Sequence, residues 1–252
     1  MIVSYKETGW HVVTQRSHGI LAAQLGSHWR LSERPSRWME TLLAIAEHDD
    51  AETELDGENL LTPTGGPLNF DMKVFDLQHC EKLSMLTQTK SRYIALLTSM
   101  HMQFLYCKDA AGGNAVAKTF LKQQASFRKA WRKNLKISES ESLRIYDLLE
   151  WCDACSLLLC QCRLQPEHRK LEISTGPDKK IYHLMQTGEG LVSIDPWPFQ
   201  DKSFNISFEY RIIKQLQFES SADFRKAFLN TPVQEQVWGV TVQKALRTKK
   251  KI

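Results

Sequence analysis

The 252-residue chain has 42% apolar and 25% charged residues, which is globular composition and excludes bulk disorder and fibrous architecture. Its net charge of +4 is too small an excess to argue by itself for a nucleic-acid partner. No run approaches the ~18 consecutive apolar residues of a membrane span, and Met1–Glu7 has no apolar secretory segment, so a soluble, cytoplasmic protein without membrane association is expected.

Trp10–Val13 is a short β-prone piece, followed by a helix with His18, Leu21, Ala22, Leu25 and Trp29 on one face. Pro35-Ser36 opens a second helix, with Trp38, Leu42 and Ile45 inward, that ends near His48-Asp49-Asp50. Thr62–Pro67 is a loop by its turn chemistry. Helical patterns return at 78–89, 91–107 and 115–134, and Ser138–Glu141 spells a capping box before the helix that carries Asp153. After Pro166 the grammar changes to short strands near 171–173, 181–184, 191–194 and 204–208, a helix near 222–229 and a last strand near 237–242. The fold class expected is mainly α: a helical body over 1–165, a β-rich section over 166–245 packed on it through Pro196-Trp197-Pro198-Phe199, and a basic tail over 246–252.

Four of the six cysteines lie between Cys152 and Cys162, a density that invites a metal–thiolate reading. Thiols along one straight helix cannot surround an ion tetrahedrally, so reduced core cysteines fit better. Gly112–Thr119 nearly spells a phosphate-binding loop, but Ala117 replaces its second glycine and no strand precedes it. Seven basic and no acidic residues fall between Ala110 and Ser138. Such a stripe could attract nucleic acid, a phosphorylated substrate or an acidic partner; a solvated helix face over 118–136 is the plainer account, and nucleic acid is not the expected partner.

Four ionisable residues interrupt apolar stripes: His18, Asp49, His101 and Asp153. A buried unpaired carboxylate costs several kcal/mol, so Asp49 and Asp153 each need a cation, a donor network or a proton. An arginine such as Arg16 or Arg163 could serve Asp153. A shared divalent metal (Mn, Fe, Mg or Zn) would serve both carboxylates, with neutral imidazoles completing its shell.

The order His18, His48-Asp49, Asp153 resembles the H…HD…D signature of the HD superfamily of metal-dependent phosphohydrolases, whose fold is helical. With His79 and His101 between the pair and the last Asp, the series also resembles the two-metal branches of that superfamily. The resemblance implies an HD-like helical body, a first metal on His18, His48, Asp49 and Asp153, and a second on His79 and His101 bridged by Asp49. It implies hydrolysis of a small phosphorylated substrate, with a di-iron oxygenase or a non-catalytic scaffold as alternatives. Asp50 is a candidate catalytic group that orients or accepts a proton, or else an exposed helix-end residue. Two-metal branches often carry Lys where this chain has Glu52.

A second resemblance covers nearly the whole chain. Ser17–Leu25, Ala44–Asp50, Gly65–Phe70, Leu96–His101 and Asp195–Phe199 are similar to an uncharacterised prokaryotic family of about this length, a domain of unknown function. Its members usually show Gly-Trp after the double Asp; Ala51-Glu52 stands here, which points to altered or lost activity.

Overall fold

A computed structural model describes residues 1–50, 54–57 and 59–243; the Ala51-Glu52 pair and the basic tail lie outside them. Strands β1 (Ile2–Lys6) and β2 (Gly9–Val13) form an antiparallel hairpin ahead of any helix. Helices α1 (Gln15–Ser27), α2 (Trp38–Ala46), α3 (Leu77–Lys90), α4 (Arg92–Ala111), α5 (Ala115–Leu135) and α6 (Glu139–Cys160) follow. The chain closes with β3 (Leu171–Thr175), β4 (Ile181–Gly188), β5 (Leu191–Asp195), β6 (Ser203–Ile213), α7 (Ser221–Asn230) and β7 (Gln234–Thr241).

All seven strands join one curled, half-barrel sheet in the order β1-β2-β6-β7-β5-β4-β3. Only the β5–β7 pair is parallel among these neighbours. The long β6 makes this order workable: Ser203–Tyr210 pair with β7, and Arg211–Ile213 pair with β2. The expectation of a mainly α protein with an HD-like body is therefore corrected: the fold is α+β. Its strands come from both ends of the chain, and the apolar faces of sheet and helices share a core. Ile2, Val13, Tyr182, Leu184, Ile206 and Val240 from the sheet are buried with Leu25, Ile45, Leu97 and Leu149 from the helices.

Helix α6 is the axis of that core. Ser138 caps its start by accepting from the Glu141 N–H at 3.0 Å, and buried residues then cover most of its surface from Ile145 through Trp151 to Cys160, leaving one half-buried stripe through Asp147, Glu150, Ala154 and Leu157. A helix enclosed on most sides has little polar face to offer, which explains its run of Leu and Cys. Cys152, Cys155 and Cys160 are free, buried thiols whose pKa values burial pushes up. Trp29, Trp151, Tyr182 and Phe199 pack ring to ring at 4.9–6.3 Å between the segment just after α1, α6, β4 and the segment before β6. The Gly112–Thr119 segment joins two helices: Gly112 caps the end of α4, and Asn114 caps α5 by accepting from the Ala117 N–H.

Two approaches fix α1 where it matters. At Gly19 a β-carbon would lie 2.2 Å from the Ala46 carbonyl oxygen, so α1 meets the end of α2 at a distance only glycine permits. On the opposite side Gln24 bonds the β6 backbone at Ser207 through both its amide oxygen and its amide nitrogen. Residue 18 is thereby held against the turn that follows α2.

Candidate metal centre

The turn Glu47–Asp49 leaves α2 tightly, with the Glu47 N–H bonded to the Leu43 carbonyl and the Asp50 N–H to that of Glu47. It aims His48 and Asp49 toward α1, α4 and α6. His18 arrives from α1, His101 from α4 and Asp153 from α6. His18, His48, His101 and Asp153 are buried, and Asp49 is half-buried on the open side.

Five side chains from four places in the chain converge as two overlapping sets that share His48: His18, His48 and Asp153, and His48, Asp49 and His101. Asp153 Oδ1 lies 3.0 Å from His18 Nε2 and 3.4 Å from His48 Nε2. Asp49 Oδ2 lies 3.5 Å from His48 Nε2, and Asp49 Oδ1 lies 3.6 Å from His101 Nε2. His101 Nε2 is 4.0 Å from Asp153 Oδ2. Bonds of ~2.1 Å to one ion would separate neighbouring donor atoms by roughly 3.0–3.4 Å, so the cluster is close to that spacing.

The hydrogen bonds around the cluster decide which ring nitrogens face inward. His48 Nδ1 lies 2.7 Å from the Ile45 carbonyl, which can only accept, so Nδ1 carries the proton. Ser156 donates its hydroxyl proton to the Asp153 carbonyl at 2.9 Å, and its oxygen lies 2.7 Å from His18 Nδ1. That oxygen must accept there, so His18 Nδ1 is also the protonated nitrogen. His101 Nδ1 is 3.3 Å from the Tyr146 hydroxyl. For His18 and His48, both Nε2 atoms are thereby turned inward, buried against the Asp153 carboxylate.

Something positive must occupy this space. Burial works against a charge on His48, yet the Asp49 and Asp153 carboxylates overcome it and raise its pKa to about 10. Burial likewise opposes ionisation of Asp49 and Asp153, but the neighbouring imidazoles hold both carboxyls well below the usual range. The cluster could hold a metal ion in place of that proton.

Two of the residues singled out in the sequence stand elsewhere. His79 is half-buried on the first turn of α3 and belongs to neither set. Asp50 is ion-paired with Arg16 at 2.6 Å, just beyond the cluster. Sequence reasoning missed Ser156, Tyr146 and Gln15. Gln15 donates from Nε2 to Asp49 Oδ2 at 3.0 Å while its backbone N–H bonds Glu54 at 2.7 Å. The Asp153–Ser156 spacing of three on a buried helix was the available signal for the first of these.

The fold and site thus define an α+β protein with a buried His/Asp cluster that could hold a metal ion. The chain belongs to the family described as "Protein of unknown function (DUF3891)", which matches residues 1–215. No curated protein and no solved structure matches it. Among the described residues no helix is long and apolar enough to cross a membrane.

Proposed function

We propose that His18, His48, Asp49, His101 and Asp153 hold one divalent metal ion, and that the protein is a metal-dependent hydrolase of a phosphoester. The observation that carries the reading is the convergence of five His and Asp donors from four places in the chain, with Nδ1 of His18 and His48 engaged elsewhere so that both Nε2 atoms face the Asp153 carboxylate at 3.0 and 3.4 Å. Three imidazoles and two carboxylates form a mixed nitrogen–oxygen donor set that suits Mn, Fe or Zn. With His79 outside both sets, a single ion is the simpler fit.

An ion held by these residues would supply a lowered water pKa, toward ~7, and polarisation of a phosphoryl oxygen. The chain's own residues supply the rest. Asp49 is the least buried of the five, so water and substrate enter on its side. There a carboxylate can only accept, so Gln15 must present its amide nitrogen to Asp49 and keep its amide oxygen free. That oxygen is buried and has no hydrogen-bond partner among the described residues, which leaves it able to accept a hydrogen bond from a water beside Asp49 and orient it. Arg16, half-exposed and held by Asp50, puts a guanidinium near the same opening, where a phosphate's charge favours it.

The test is release of inorganic phosphate from an activated phosphomonoester by protein prepared without chelator, with and without added Mn²⁺. Wild type should turn over only with metal, and Asp49→Asn should lose at least tenfold in rate. Turnover that survives removal of all metal by a chelator, or none by fully loaded wild type, contradicts the hydrolase reading. Tightly held iron with no phosphate release would favour oxygen chemistry instead.

A further inference from the structure

We infer that Phe104 seats a planar aromatic group of the substrate, so that the phosphoester handled at this centre is an aromatic one. The inference rests on the metal-dependent hydrolase reading and names its substrate class.

Phe104 follows the ligand His101 by one turn of α4, the spacing at which side chains on one helix face meet. The two rings stack at 6.2 Å between centroids with 27° between planes. Tyr146, whose hydroxyl faces His101 Nδ1, closes the other side at 6.4 Å from Phe104 and 6.2 Å from His101. His101 and Tyr146 are buried, but Phe104 is 52% exposed. A single exposed apolar residue on a protein surface is ordinary and means nothing by itself. Its placement is what distinguishes Phe104: among the described residues it is the exposed aromatic in ring contact with a member of the cluster.

Stacking partners lie ~4.5–7 Å apart between centroids, and a phosphoryl oxygen would sit ~2 Å from the ion. An aromatic ring joined to the phosphoryl through one ester oxygen therefore lies within reach of a ring that itself rests on His101. An alkyl ester gains contact with Phe104 but no offset-stacked geometry. Phe104 and the half-buried Asp49 both contact His101: Phe104 through its ring, and Asp49 Oδ1 at 3.6 Å from Nε2.

The competing account makes Phe104 a cover that keeps water from His101. Phe104→Leu separates the two, because leucine preserves an apolar cover and removes the ring, while Phe104→Tyr keeps it. Calorimetric titration of Mn²⁺-loaded protein with phenylphosphonate and cyclohexylphosphonate, two non-hydrolysable anions of similar size, reads planarity without relying on turnover. Wild type and Phe104→Tyr should bind the phenyl compound roughly two- to tenfold more tightly. In Phe104→Leu that preference should vanish, with cyclohexylphosphonate affinity and Mn²⁺ stoichiometry unchanged. Equal affinities in wild type, or a preference that survives in Phe104→Leu, would overturn the inference and leave the metal centre standing. Binding of neither phosphonate by loaded wild type would instead remove the phosphoester reading on which it rests.

Discussion

A buried imidazole has two nitrogens to satisfy, and at His18 and His48 the protein ties Nδ1 to a neutral oxygen and turns Nε2 toward the Asp153 carboxylate. The Ser156 hydroxyl illustrates how closely this is set: it donates to the Asp153 carbonyl and so must accept from His18 Nδ1. Removing it frees the His18 ring to adopt the other tautomer and to rotate, which lowers its competence as a ligand. Outer partners of this kind are worth roughly 10- to 100-fold in metal affinity. Ser156→Ala should therefore weaken Mn²⁺ binding by about that factor, measured by competition with a chromogenic chelator. Leaving the His18 N–H unsatisfied also costs about 1–3 kcal/mol of metal-free stability. An unchanged affinity would mean that Ser156 serves packing alone. His79 gives the contrasting case at this scale. It was expected on the order of residues in a resemblance and not on an apolar stripe, and Gln78 and Glu81 beside it leave that face of α3 in contact with water. His18, His101 and Asp153 interrupt apolar stripes, so burial and mutual approach were legible for them.

At the scale of elements, the centre depends on how closely α1 meets the turn after α2. Gly19 makes that approach possible: an added β-carbon would fall 2.2 Å from the Ala46 oxygen, a rigid backbone atom that cannot step aside. Gly26, two turns on, would place its β-carbon 3.2 Å from side-chain carbons of Ile45 and Leu42, which can yield by rotation. Gly19→Ala should thus cost about 1–3 kcal/mol and displace His18 from His48, with a marked loss of metal affinity. Gly26→Ala should cost less and keep the affinity. Denaturant melts and metal titrations of the two variants side by side check this, and equal affinities would separate helix approach from site geometry. The helices themselves were readable from periodicity and caps, as Ser138 and Glu141 show at the start of α6. Asp49 was readable as inward-facing for a reason that did not hold: its spacing from Trp38, Leu42 and Ile45 suggested a continuing helix, whereas α2 ends at Ala46 and a turn delivers Asp49.

At the scale of the whole molecule, the sequence pattern separated helices from strands but could not show that the two ends of the chain share one sheet. Strand β1 lacks flanking turn signals other than Gly9, and β6 reads locally as a short strand, yet β6 is the one that joins the N-terminal hairpin to β7. Such pairing is decided by long-range burial, to which a local pattern is blind. The resemblance to helical phosphohydrolases had the same limit, since an order of ligands carries no information on the sheet behind them. What the sheet provides is a fixed back wall: it shares a core with α1, α2, α4 and α6, the helices that carry or border all five candidate ligands. A cation held there stabilises the folded chain alone, by ~2.7 kcal/mol when the free ion is at a hundred times its dissociation constant. The most direct test is a Mn²⁺ titration of chelator-treated protein, followed by calorimetry, for wild type and Asp153→Asn. Wild type should bind one ion per chain, and the variant should bind at least a hundredfold more weakly. No binding to wild type, or equal binding to both, would contradict a metal centre at this cluster.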